Sequence, residues 1–179
     1  MKHKSILWPI VTILLCAVIL YGTALGLNGI ANANAQREHL KTLRTILPGS
    51  EHFTVESYDG ADANIVSVHK GETGYVIETC VYGYAGDITM LVGVSNDGTV
   101  TGLQVRDMAE TLGLGAEALT NWEFLVQFLN TSGDAEVGTN VDALTGATVT
   151  SKAIARSVNS AVGYVTGADT SSGATSWGG

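Results

Sequence analysis

The chain has 179 residues, with 17 acidic side chains against 9 basic ones for a formal net charge of -8. That length accommodates one membrane segment and one domain of ordinary size with a real core. The charge balance excludes nucleic acid as a partner, because neutralising a polyanion needs clustered Lys and Arg and the nine here are scattered.

From Ile6 to Leu27 no residue is charged, and Lys2 and Lys4 precede the run. Its 22 residues are enough to cross a hydrocarbon core of about 30 Å at about 1.5 Å per residue, so membrane lipid is an expected partner of residues 6–27. Ala31-Asn32-Ala33 and Ala33-Asn34-Ala35 offer the competing reading of a cleaved secretory signal. The run is longer than a signal core, and residues 1–30 are read as a retained single-pass anchor. The positive-inside rule keeps the two lysines cytoplasmic and places everything after Leu27 on the outer side of the cytoplasmic membrane. Cys16 lies in this run and cannot meet Cys80, so both cysteines read as small buried apolar residues.

Residues 31–50 read as a juxtamembrane helix, with Leu40, Leu43 and Leu47 at helical spacing and Pro48-Gly49 as its stop. Residues 51–166 read as one α+β domain. Ile65 to Val68, Gly74 to Val81, Ile88 to Val94 and Val100 to Val105 have the pattern of an antiparallel sheet, and Asn96-Asp97-Gly98 is a hairpin turn between the last two. Thr111 to Ala118 is a glycine-punctuated loop. Thr120-Asn121-Trp122-Glu123 has the form of a capping box starting a short helix. Thr131 to Asn140 reads as polar loop, and from Ser151 onward Ile154, Val158, Val162 and Val165 mark one face of a final helix. Residues 167–179 are a low-complexity tail, too poor in apolar residues to order itself.

Asp142-Ala143-Leu144-Thr145-Gly146-Ala147-Thr148-Val149-Thr150-Ser151 lies where loop meets final helix. A helix start carries unpaired N–H groups and the positive end of the macrodipole, so an anion is stabilised there, and Gly146 and Ala147 put little bulk in its way. The alternative is that Thr145, Thr148, Thr150 and Ser151 only cap the helix. A second copy of the pattern runs from Asp169 to Thr175 with no helix behind it; it reads as a compositional coincidence, or as a second attachment site at Thr175. Lys152 and Arg156 follow the first copy and read either as counter-charges to a phosphate or as solubilising surface charge.

The first copy closely resembles the flavinylation motif of FMN-binding domains in the G subunit of the Rnf electron-transport complex and in the C subunit of the sodium-translocating NADH:quinone reductase. Gly83-Tyr84-Ala85-Gly86-Asp87-Ile88 resembles the family's Gly-Tyr-Gly-Gly-x-Ile segment, and Glu110-Thr111-Leu112-Gly113-Leu114-Gly115 its Glu-Thr-Pro-Gly-Leu-Gly loop. The order of anchor, sheet, loop, helix, motif and helix agrees as well. Three positions depart: Leu112 stands in place of proline, Met108 in place of a frequent histidine, and Ala85 in place of glycine.

The resemblance implies FMN bound covalently through a phosphoester to Thr148. It also implies a cofactor site drawn from Asp142, Thr145, Gly146, Ala147, Thr150, Ser151, Glu110, Thr111, Gly113, Leu114, Gly115 and Tyr84. A threonine hydroxyl needs activation, and the motif offers only Asp142, so attachment is expected from a separate flavin transferase that uses FAD and a divalent metal. With no His or Cys cluster and no dinucleotide fingerprint, neither a metal site nor a nicotinamide site is read. The expected role is an electron-relay subunit of an Rnf-type ion-translocating ferredoxin:NAD oxidoreductase, acting with the other subunits of that complex and turning over no substrate alone. The quinone-reductase C subunit, a free-standing extracellular flavin shuttle and a cofactor-free anchored binding domain remain the alternatives.

Overall fold

The computed structural model describes residues 4–60, 62–108 and 120–168. The chain divides into two compact units, Met1–Lys41 and Thr42–Gly179. Helix α1 (Lys4–Ile46) supplies the first and contributes its last turn to the second. In the first unit Trp8, Val11, Ile13, Leu14, Leu15, Val18, Ile19, Leu20 and Tyr21 are all exposed large apolar side chains. Among the described residues no helix is long and apolar enough to cross a membrane. Both cysteines are free, Cys16 exposed and Cys80 half-buried, so neither is the fully buried residue expected.

The second unit is built on a five-stranded antiparallel sheet in sequential order: β1 (Thr54–Glu56), β2 (Ile65–Lys70), β3 (Gly74–Tyr82), β4 (Asp87–Ser95) and β5 (Val100–Met108). Side chains alternate between faces along a strand. Ile77 and Val81 of β3 thus join Ile88, Met90, Val92 and Val94 of β4 on one face, in register Ile77↔Val92 and Val81↔Ile88. The α+β architecture and its antiparallel sheet agree with the sequence reading. The expected hairpin is present as well: Ser95 N–H donates to Thr99 O at 2.9 Å, and Gly98 takes the positive φ of 87° that such a turn requires.

That apolar face is covered by a second layer: the short helix α2 (Trp122–Leu125) with a 3₁₀ turn over Val126–Phe128, and the long helix α3 (Thr148–Thr166). Phe124 and Phe128 pack edge to face with centroids 5.3 Å apart, and Ile154, Val158 and Val162 of α3 fill the remainder of this core. The cap of α2 falls one residue later than the capping box suggests. Asn121 Oδ1 accepts from Phe124 N at 3.1 Å, since an Asn side chain reaches the third residue's N–H as well as a hydroxyl does. Helix α3 likewise begins at Thr148 and not at Ser151.

The opposite face meets the end of α1. Leu43, Ile46 and Leu47 form a smaller core with Val76 and Leu91. The cross-strand pair Gly93 and Gly102 lets the helix end come close, because a Cβ on either would stand 2.6 Å from the Ile46 carbonyl oxygen. Thr101 Oγ1 donates to that same carbonyl at 2.8 Å, satisfying one of the acceptors a helix leaves open at its end.

Candidate functional site

The motif forms a turn followed by a helix. Ala147 N–H returns to Leu144 O at 2.9 Å, and Gly146, third in this turn, has φ 79°. A turn with positive φ at its third residue selects glycine, since a Cβ there costs steric energy. Gly146 is therefore required by backbone conformation as well as by lack of bulk. Ser151 locks the turn to the helix: its hydroxyl donates to Ala147 O at 2.9 Å and accepts from Leu144 N at 3.3 Å.

The four hydroxyls of the motif do not share one role. Ala147 is the N-cap residue of α3, and among the described residues no side chain caps the helix start. The reading in which these hydroxyls cap the helix start has no such bond behind it among the described residues, and the unpaired N–H groups and positive dipole end of a first turn are of the kind that favours an anion. Thr145 and Thr148 are exposed, whereas Ser151 is fully buried and Thr150 is 1% exposed. Thr150 Oγ1 has no hydrogen-bond partner among the described residues, and burial closes it to any bulky group. Of the exposed pair, only Thr148 stands inside the helix, at its first residue. An uncapped helix start, an accessible hydroxyl on it and small neighbours form a donor set that fits a phosphate ester.

Asp142 is exposed, and its backbone N–H donates to Gln127 Oε1 at 2.8 Å. Gln127 is not legible as a site residue from the sequence, because nothing there links it to a position 15 residues away.

Contacts along α3 show how the rest of the site assembles. Tyr164 lies against Tyr75, Ser157 bonds Thr79, and Arg156 Nη2 donates to Tyr82 O at 2.9 Å, so α3 runs antiparallel to β3. Nine residues of helix separate Ser157 from Thr148, about 13 Å at about 1.5 Å each. That is about four residues of strand beyond Thr79, which brings Thr148 level with the β3–β4 turn. This turn, closed by Gly83 N donating to Gly86 O at 2.8 Å, carries Tyr84, which is exposed, as is Tyr82. Neither tyrosine is a core residue. Met108 pairs with Ile88 at the same end of the sheet. The loop residues Glu110, Thr111, Gly113, Leu114 and Gly115, and the second copy with Thr175, lie outside the described residues.

Residues 83–163, from the β3–β4 turn through most of α3, match the FMN-binding domain family. The chain is 35% identical over 147 residues to the G subunit of the ion-translocating oxidoreductase complex of Methanosarcina acetivorans, an alignment that covers 76% of this chain and 78% of that one. It belongs to the family of G subunits of ion-translocating oxidoreductase complexes. The G subunit of the Na(+)-translocating ferredoxin:NAD(+) oxidoreductase complex of Acetobacterium woodii is 31% identical, with 90% of this chain and 89% of that one covered. The G subunit of the ion-translocating oxidoreductase complex of Aliivibrio fischeri is 29% identical, with 92% and 90% covered. The FMN-binding region contains both segments that the fold brings level with each other, the turn at 83–86 and the motif at 142–151.

Proposed function

We propose that this chain is the electron-relay subunit of an Rnf-type ferredoxin:NAD oxidoreductase complex, with FMN joined through its phosphate to the Thr148 hydroxyl. The observation that carries this reading is the exposed Thr148 side chain on the uncapped start of α3, inside a matched FMN-binding domain. When bound, FMN supplies reversible electron uptake and release, and the protein supplies place and electrostatics. Thr148 would hold the ester, and the first-turn N–H groups of α3 would offset the phosphate charge. Lys152, exposed one turn further along the same stripe, adds a cation. Tyr84 and the Glu110 to Gly115 loop are assigned to the flavin surroundings by resemblance to the family.

Attachment is assigned to a separate flavin transferase. Asp142 is the one acidic residue in the motif, the motif holds no histidine, and an unactivated threonine hydroxyl is a poor nucleophile. The domain is proposed to be held outside the cytoplasmic membrane by residues 6–27. That proposal rests on the uncharged run, on the exposed apolar side chains of α1, and on Lys2 and Lys4 ahead of it. The three relatives are each named as the G subunit of an oxidoreductase complex of this kind, which favours it over the quinone reductase.

The test is intact-mass spectrometry of the chain produced beside a flavin transferase. A single FMN adduct, mapped by fragmentation to Thr148, is expected, and a bare polypeptide mass would overturn the reading.

A further inference from the structure

Arg156, read from its place after the motif as a counter-charge or a surface charge, has a partner within the protein. Its Nη2 donates to the carbonyl of Tyr82, the last residue of β3, at 2.9 Å across a sequence separation of 74 residues. Thr148, Lys152 and Arg156 follow one another at four-residue intervals, so they share one stripe of α3. The stripe that presents the Thr148 hydroxyl is therefore the stripe that grips the strand end from which the β3–β4 turn leaves.

We propose that Arg156 is a positioning residue: its hydrogen bond to Tyr82 holds the turn at residues 83–86 beside the Thr148 end of α3 and so fixes the protein surroundings of the flavin. This rests on the reading of Thr148 as the attachment point. Three features carry it. The bond is charge-assisted, and such bonds are roughly twice as strong as neutral ones. The turn is closed by the Gly83 to Gly86 backbone bond, carries the exposed Tyr84, and leaves β3 directly after Tyr82, the residue whose carbonyl Arg156 binds. The antiparallel run of α3 on β3 puts the turn at about the level of Thr148 along the strand direction.

The experiment compares wild type with Arg156→Ala, Arg156→Lys and Arg156→Gln, in apo and flavin-loaded protein, with load measured by intact mass. In the apo chain Arg156→Ala is expected to speed hydrogen exchange of the amides at 83–86 by about ten-fold, the effect of losing one charged hydrogen bond. In the loaded chain the same variant is expected to shift the visible flavin band and the midpoint potential per flavin bound. Arg156→Lys and Arg156→Gln, which keep a donor, should restore both toward wild type. Unchanged amide exchange in Arg156→Ala overturns the tie. Faster exchange with an unaltered band and potential overturns the positioning role and leaves a structural one. A wild-type chain that takes no flavin on Thr148 would instead sink the preceding reading, while the apo exchange would still report the tie.

Discussion

The hydroxyls of Thr79 on β3 and Ser157 on α3 hydrogen-bond to each other in the core, both fully buried and 78 residues apart. An apolar pair would fill the same space in many helix settings, but two hydroxyls satisfy one another in only one. The pair thus fixes where α3 sits along β3, and with it where Thr148 sits relative to the β3–β4 turn. Thr79→Val leaves the Ser157 hydroxyl buried without this partner and is expected to cost about 1–3 kcal/mol. Thr79→Val with Ser157→Ala should cost less than the sum of the single changes, as urea denaturation in a double-mutant cycle would show.

Thr148→Ala should abolish in-gel flavin fluorescence, while Thr175→Ala leaves it intact. The difference follows from the helix behind Thr148, whose uncapped start favours an anion. Fluorescence that survives in the Thr148 variant would move the assignment to the tail.

Gly146→Ala forces a Cβ into a backbone with φ 79°. A cost of about 1–2 kcal/mol is expected, together with reduced flavin loading, because the turn from Leu144 to Ala147 presents Thr148. Thermal melting and in-gel fluorescence of the variant measure the two effects. Wild-type loading would show that the turn is not part of what the attaching enzyme requires.

Gly102→Ala should loosen the end of α1 from the sheet, since its Cβ would stand 2.6 Å from the Ile46 carbonyl oxygen that Thr101 holds. Overpacking of this kind costs about 1–3 kcal/mol. Faster amide exchange at residues 43–47 would accompany the loss.

Acid should loosen the Glu51 and His52 amides that follow α1. The Glu72 carboxylate is held below its ordinary value by its own backbone N–H and by those of His52 and Glu51, which donate at 3.1 and 3.0 Å. A carboxylate with a lowered folded pKa contributes its stabilisation above the ordinary carboxylate range and loses it as pH falls through the lowered value. The Glu51 and His52 amides are therefore expected to exchange faster, relative to intrinsic rates, only in acid. Glu72→Gln should remove that pH dependence.

The sheet is readable because each strand beyond the first announces itself. Alternating apolar residues mark β2 to β5, and Asp97-Gly98 admits few structures other than a hairpin. Strand β1, only Thr54–Glu56, has no such alternation and exists through its pairing with β2. Sequence pattern places the start of α3 three residues late because threonines before a helix look like caps, while the structure gives the N-cap position to Ala147. The motif is legible as chemistry, but the division of labour among its hydroxyls is not. Whether Thr148 faces water and Thr150 faces the core depends on which side of α3 lies on the sheet. Arg156 shows the same limit, because its partner is chosen by the antiparallel run of two elements far apart in the chain.

The sheet also separates two jobs along its length. The end of α1 enters beside Gly93 and Gly102, near the Ser95–Thr99 hairpin, while the β3–β4 turn and Thr148 occupy the other end. From Val76 to Tyr82 the strand spans about 20 Å at about 3.3 Å per residue. Within this unit the sheet is thus a stiff spacer that sets Thr148, the proposed attachment point, at a fixed reach from where the chain comes in. Only longer strands would extend that reach.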